Sequence, residues 1–141
     1  MAFAHGKSCI VKCDDSGGTL RTITAYIANT STDQNVPTAD TTVFGANATD
    51  HVVGVPDHGD IQIEGPFDGT STNGGHQVFS SIIGQAASVS LEIHPMGTTS
   101  TYPKLTGEAT LTKYSVTPDI NDAVKYSATL KWRGTATWGT N

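Results

Sequence analysis

Residues 40–69 read DTTVFGANATDHVVGVPDHGDIQIEGPFDG, and a change of pattern inside this stretch decides the fold class. Its earlier part is polar and turn-rich, punctuated by Gly45, Gly54 and Pro56. At Asp60 a different period begins: polar Asp60, Gln62 and Glu64 alternate with apolar Ile61 and Ile63, and Gly65-Pro66 then breaks the run. Successive side chains on a strand point to opposite faces, so the two isoleucines are expected in a core and the three polar residues in water. The stretch reads as a half-buried strand fed by a long surface excursion.

The same alternation recurs on both sides. In residues 7–12, Cys9 and Val11 alternate against Ser8, Ile10 and Lys12, and the Asp14-Asp15-Ser16-Gly17-Gly18 run that follows predicts a hairpin turn. Residues 19–26, rich in β-branched and aromatic side chains, are expected to return as a strand and run into a short helical turn. Val89, Leu91 and Ile93 alternate with Ser88, Ser90, Glu92 and His94 before a Pro95-Met96-Gly97 turn. Further on, Ala109 and Leu111 oppose Glu108, Thr110 and Thr112, and Tyr126, Ala128, Leu130 and Trp132 oppose Lys125, Ser127, Thr129, Lys131 and Arg133. About six or seven strands result, enough for a sandwich or half-open barrel. One helix is expected over residues 76–83, where Val78, Phe79, Ile82 and Ile83 form an apolar stripe, with Thr72 or Asn73 as cap and Gly84 as terminator. Such a stripe must be buried, which places the helix against the outer side of a sheet.

A chain of 141 residues is most simply one domain. Hydrophobic residues make up 36% and charged residues 15%, with Thr, Ser and Gly abundant, as many short strands and tight turns require. The formal charge of -5, with no basic cluster, argues against a protein that grips nucleic acid by its phosphates. No run approaches the roughly 20 apolar residues of a membrane span, and MAFAHGKS lacks the apolar core of a secretory signal, so synthesis in the cytosol is expected. Cys9 and Cys13 on an extended strand would lie about 13 Å apart, beyond the roughly 7 Å reach of a disulfide, so free thiols are expected.

Chemistry finds few parts here. Asp60 with Glu64, or Glu92 with Glu108, could supply paired carboxylates, but alternating exposed acids are the ordinary solvated face of a strand. The sequence contains no Gly-x-Ser-x-Gly elbow, phosphate-binding glycine loop or His-Glu-x-x-His helix, so no enzymatic activity is expected. Asp14-Asp15 and Asp57-x-x-Asp60 lack the spacing of a calcium loop, and the five histidines supply no partner set for the cysteines, so neither metal nor cofactor is expected. His51 and His58 are assigned no role. Trp132, Trp138, Tyr102, Tyr114 and Tyr126 could line a sugar-binding face, which gives the alternative of a monomeric, secreted or surface β-sandwich that binds glycans.

Residues 29–58 exceed the roughly 12 to 15 residues of an idle connection. Val36, Val43, Phe44, Val52, Val53 and Val55 would leave much apolar surface on a free loop, so the segment is expected to pack against its own domain or a neighbour. Trp138, in the tail after the last strand, is expected to be free to anchor a neighbouring chain.

Three motifs in this order carry a resemblance: Asp40-Thr41-Thr42-x-Phe44-Gly45, a spacer with Gly54 and Pro56, and Ile61-x-Ile63-x-Gly65-x-Phe67-Asp68. Together they resemble the major tail tube proteins of long-tailed (siphovirus-like) bacteriophages and related gene transfer agents. The far end agrees: residues 107–115, the Pro118-x-x-Asn121-Asp122 turn and residues 124–134 resemble that family's closing hairpin and terminal strand.

The resemblance implies a single tail-tube-like domain over residues 1–141, all-β with one short helix. Its form would be a β-sandwich or half-barrel whose inner sheets join into a ring barrel on hexamerisation. An N-terminal arm (1–7), a long stacking loop (about 29–58) and a C-terminal tail (135–141) would reach adjacent rings, with Phe3, Asp40, Thr41, Thr42, Val43, Phe44 and Trp138 as contact candidates. Asp60, Gln62, Glu64 and Glu92 are lumen candidates; Lys125, Lys131 and Arg133 leave the sign of the wall open. The implied partners are further copies of the chain and the tape measure, tail terminator and tail tip proteins, with DNA passing through the lumen without specific binding and no membrane contact. The implied location is the virion tail, after synthesis in the host cytoplasm. In contrast to the larger members of that family, no second immunoglobulin-like domain is expected after Gly134, and no surface decoration is implied.

Overall fold

The computed structural model describes residues 3–70 and 74–141. Along them run a 3-10 turn (Gly6–Ser8), β1 (Ile10–Asp14), β2 (Leu20–Thr22), a second 3-10 turn (Thr24–Tyr26), β3 (Asn29–Thr32), β4 (Thr38–Asp40), β5 (His51–Val53), β6 (Asp60–Pro66), α1 (Gly75–Ile82), β7 (Val89–His94), β8 (Pro103–Asp119) and β9 (Asp122–Thr140). Seven strands form one sheet in the order β2-β1-β7-β8-β9-β6-β3, while β4 and β5 pair apart from it. The all-β class with a single short helix holds, and the sheet is left open at both edges.

The long strands set the shape. β8 and β9 span 17 and 19 residues and pair antiparallel from Pro103↔Thr140 to Asp119↔Asp122, with register shifts at Thr106/Glu108, Leu111/Lys113 and Thr117/Asp119. Such bulges bend a ladder and add twist, which lets one sheet curl into a half-barrel. The curl turns β1 and β7 toward β3, and the two ends face each other across a cleft lined by Val11 and Ile93 on one side and Thr30 on the other.

The period-2 reading holds where it is strongest. On β6, Ile61 and Ile63 are fully buried and Asp60, Gln62 and Glu64 exposed; on β9, Tyr126, Ala128, Leu130 and Trp132 all enter the core. Val11, Cys13, Leu91, Leu105 and Ala109 complete the apolar face of the sheet. α1 caps that face through Val78, Phe79 and Ile82, and Phe79 meets the rings of Tyr126 and Tyr114 at centroid distances of 5.9 and 6.1 Å. The opposite face of the sheet carries the polar residues.

Several boundaries differ from the sequence reading. The first strand begins at Ile10, not residue 7, because the Ser8 N–H bonds to the His5 carbonyl at 3.0 Å and closes a 3-10 turn, which His5 Nδ1 caps by accepting the Lys7 N–H at 3.1 Å; Val11 and Cys13 are the inward residues of the strand. The hairpin after it forms as expected, with Asp15 Oδ1 accepting from the Gly17 and Thr19 N–H groups. Ile83 does not join the helical stripe: it is the extended C-cap residue, 44% exposed, and Gly84 at φ 80° then turns the chain away. The N-cap is Gly74; Thr72 and Asn73, the expected caps, lie outside the described residues. Gly65-Pro66 does not break β6, which runs through both. The expected long loop opens with four residues that belong to the sheet as β3, and residues 135–140 are the end of β9. Cys9 and Cys13 are free thiols.

Candidate assembly surfaces

The segment between β3 and β6 is a projecting hairpin. β4 and β5 pair as Thr38↔Val53, Ala39↔Val52 and Asp40↔His51, and every residue of both strands is exposed. The Asp40-Thr41-Thr42 motif is the lock at its far end. Asp40 Oδ1 accepts the Thr42 N–H at 2.8 Å, the Thr41 N–H donates to the Asp50 carbonyl at 3.0 Å, and Thr42 Oγ1 accepts the Asp50 N–H at 2.8 Å. Hydrogen bonding to it from the Thr42 N–H, and less from the Thr42 hydroxyl, holds the Asp40 carboxyl below its ordinary range. Beyond the lock, Gly45 at φ 84° takes the left-handed conformation that lets the loop reverse.

That lock presents two apolar side chains to solvent. Val43 is 71% exposed and Phe44 108%, with Val52, Val53 and Val55 exposed behind them. The structure thus gathers Asp40, Thr41, Thr42, Val43 and Phe44 on one hairpin tip. Phe3, also exposed, lies at the other end of the described chain, before the first 3-10 turn. Trp138 is about half exposed, and its Nε1–H donates to Gln34 Oε1 at 3.1 Å, so its polar end braces the base of the hairpin excursion within its own chain.

Asp60, Gln62, Glu64 and Glu92 share the polar face of the seven-stranded sheet, since Ile61, Ile63, Leu91 and Ile93 occupy the other. Register interleaves them with cations, which sequence alone did not show. Lys131 stands opposite Asp60, Lys12 opposite Glu92 and Arg133 opposite Glu108. Thr129 Oγ1–H donates to Gln62 Oε1 at 3.0 Å. The face is striped with both signs.

Three of the five aromatic side chains suggested for a sugar-binding face are taken up by the core: Trp132 and Tyr126 are buried, Tyr114 stacks in the core-edge cluster with Phe79 and His76, and His76 Nδ1 is 2.8 Å from the Tyr114 hydroxyl. Among the described residues, no three His, Cys, Asp or Glu side chains gather as a metal site. A cleft of about 770 Å³ lies between β1 and β3. His5 and Lys7 stand at it, Val11, Ile27, Ile93 and Pro95 contribute its apolar wall, and Cys9 lines it half-buried. The Oγ1 of Thr30, on β3, is buried and unpaired among the described residues.

No family model and no curated protein matches the sequence. Solved structures do match, over nearly the whole chain. A protein of the tail of an empty gene transfer agent particle, refined with C6 symmetry, is 18% identical, covers 97% of this chain and 99% of its own, and gives a TM-score of 0.77. The SPP1 tail tube gives 9% identity, 99% and 80% coverage and a TM-score of 0.77. A protein of the sheath/tube terminator of an extracellular contractile injection system gives 15% identity, 99% and 98% coverage and a TM-score of 0.74. At these identities the likeness is one of architecture, and the chain has the fold shared by phage-type tail and tube proteins.

Proposed function

We propose that this chain is a structural subunit that polymerises as stacked hexameric rings into a hollow tail tube through which DNA passes during ejection. The observation that carries the reading is the open sheet, ending in unpaired β2 and β3, within a fold that matches tail and tube proteins over at least 97% of the chain. A free sheet edge is an aggregation hazard unless something covers it. Pairing by the next subunit in a ring removes that hazard, and a heterologous edge contact closes whenever the rotation permits.

Ring stacking is assigned to the β4–β5 hairpin, with Val43 and Phe44 as its apolar tip, supplemented by Phe3 and Trp138. The polar face with Asp60, Gln62, Glu64 and Glu92 is assigned to the lumen, where acids interleaved with cations give DNA phosphates no continuous basic track to hold. No catalytic role is assigned. The chain would reside in the virion tail after synthesis in the host cytoplasm and meet tape measure, terminator and tip proteins there. Negative-stain electron microscopy of the purified protein at high concentration tests the reading. Hollow tubes of stacked rings are expected, whereas a monomer at every concentration tried counts against it.

A further inference from the structure

We infer that the Phe44 tip of one subunit's β4–β5 hairpin seats in the cleft between β1 and β3 of another copy. This rests on the tube reading and adds to it the receiving surface. Two observations single out the pair. The tip exposes Val43 and Phe44 while the cleft offers a concave apolar wall of Val11, Ile27, Ile93 and Pro95, in the size range that encloses compact apolar groups. Charge is complementary: residues 33–57 contain Asp33, Asp40, Asp50 and Asp57 with no Lys or Arg, whereas the cleft carries Lys7 and, among the described residues, no carboxylate.

The contact runs between copies, because the tip of Phe44 is fully exposed in its own chain. Hairpin and cleft are two different patches of one molecule, so the contact is heterologous and leaves a free hairpin on one partner and a free cleft on the other. Such a contact propagates in one direction, giving the polymer a polarity.

Cys9 is a native reporter, since it lines the cleft half-buried while Cys13 is fully buried. In assembled wild-type tubes, Cys9 is expected to react with a maleimide about tenfold more slowly than in dissociated subunits, with Phe44→Ala restoring part of the reactivity. In parallel, Ala46→Cys keeps Phe44 and places a thiol beside it; a short bismaleimide should then yield a ladder of covalent multimers that disappears when Cys9→Ala is added. Tubes in which Cys9 reacts as fast as in free subunits and no ladder forms would place the hairpin elsewhere, overturning this inference while the tube reading stands. No polymer at any concentration, with no ladder, overturns both.

Discussion

Gly65 is the penultimate residue of β6, and glycine within a strand weakens it by entropy and offers nothing to pack. The reason it stands there is the close approach of the second 3-10 turn: a Cβ at this position would meet the Tyr26 carbonyl carbon at 2.9 Å and the Ile27 Cα at 3.0 Å. These are backbone atoms, which cannot swing aside. Gly65→Ala is therefore expected to cost about 1–3 kcal/mol, read as a lowered urea midpoint with unchanged slope. At the neighbouring strand the Tyr126 hydroxyl donates to the same Tyr26 carbonyl at 2.6 Å, so Tyr126→Phe should cost about 1 kcal/mol in the same measurement. Cys13 gives the pH dependence. Burial, with smaller contributions from Asp14 and Asp15, pushes its thiol up to about 12, whereas an unfolded cysteine ionises near about 8.5. Between these values the unfolded chain has released the proton that the native chain keeps, so stability is full below the window and falls as pH rises through it. The slope from this group is at most about 1.4 kcal/mol per pH unit, and Cys13→Ala should flatten it.

At the scale of elements, legibility followed periodicity. β6 and β9 could be read because Ile61, Ile63 and the Tyr126 to Trp132 row alternate strictly with polar residues, and the structure buries all of them. β3 could not: its sequence is Asn-Thr-Ser-Thr, and its inward Thr30 and Thr32 look no more apolar than a loop. The extent of β8 was hidden by its bulges, each of which shifts the phase of the alternation. The hairpin motif was visible as residues, but its function as a lock became clear only from the Thr42 bonds to Asp40 and Asp50. The polar face was legible residue by residue, and its cation stripes were not, because pairing of Asp60 with Lys131 depends on register between distant segments. Two predictions belong here. Phe44→Ala removes a side chain that touches nothing in the monomer, so monomer stability should stay within about 0.5 kcal/mol, while each lost stacking contact, worth about 2 kcal/mol, should raise the critical concentration for tubes by more than tenfold. Replacing Asp60 and Glu64 by Lys leaves a continuous basic track beside Lys131, and DNA ejection from particles built with that subunit should slow; unchanged ejection would remove this face from the lumen.

For the whole molecule, the balance of charge sets the conditions of assembly. Each chain carries -5 at neutral pH with a sequence pI near 5.3, so in the proposed tube every added ring would bring more negative charge toward charge of the same sign. Against this would stand the local attraction between the acidic hairpin and the Lys7 side of the cleft in the proposed contact. The two respond to salt differently because they act over different distances. Repulsion between rings extends over tens of ångströms and is cut off when the Debye length shrinks from about 30 Å at 0.01 M to about 8 Å at 0.15 M. The proposed hairpin contact would be short-ranged, partly desolvated and carried mainly by apolar burial, and so would lose less over the same interval. Repulsion therefore falls faster than attraction, and the critical concentration, measured by sedimentation of tubes, should drop as salt rises from about 0.01 M to about 0.15 M. Lowering the pH toward the pI at fixed low salt should act in the same direction by reducing the net charge itself. A critical concentration that climbs steadily with salt would mean that opposite charges, not Phe44 and its valines, hold the rings together.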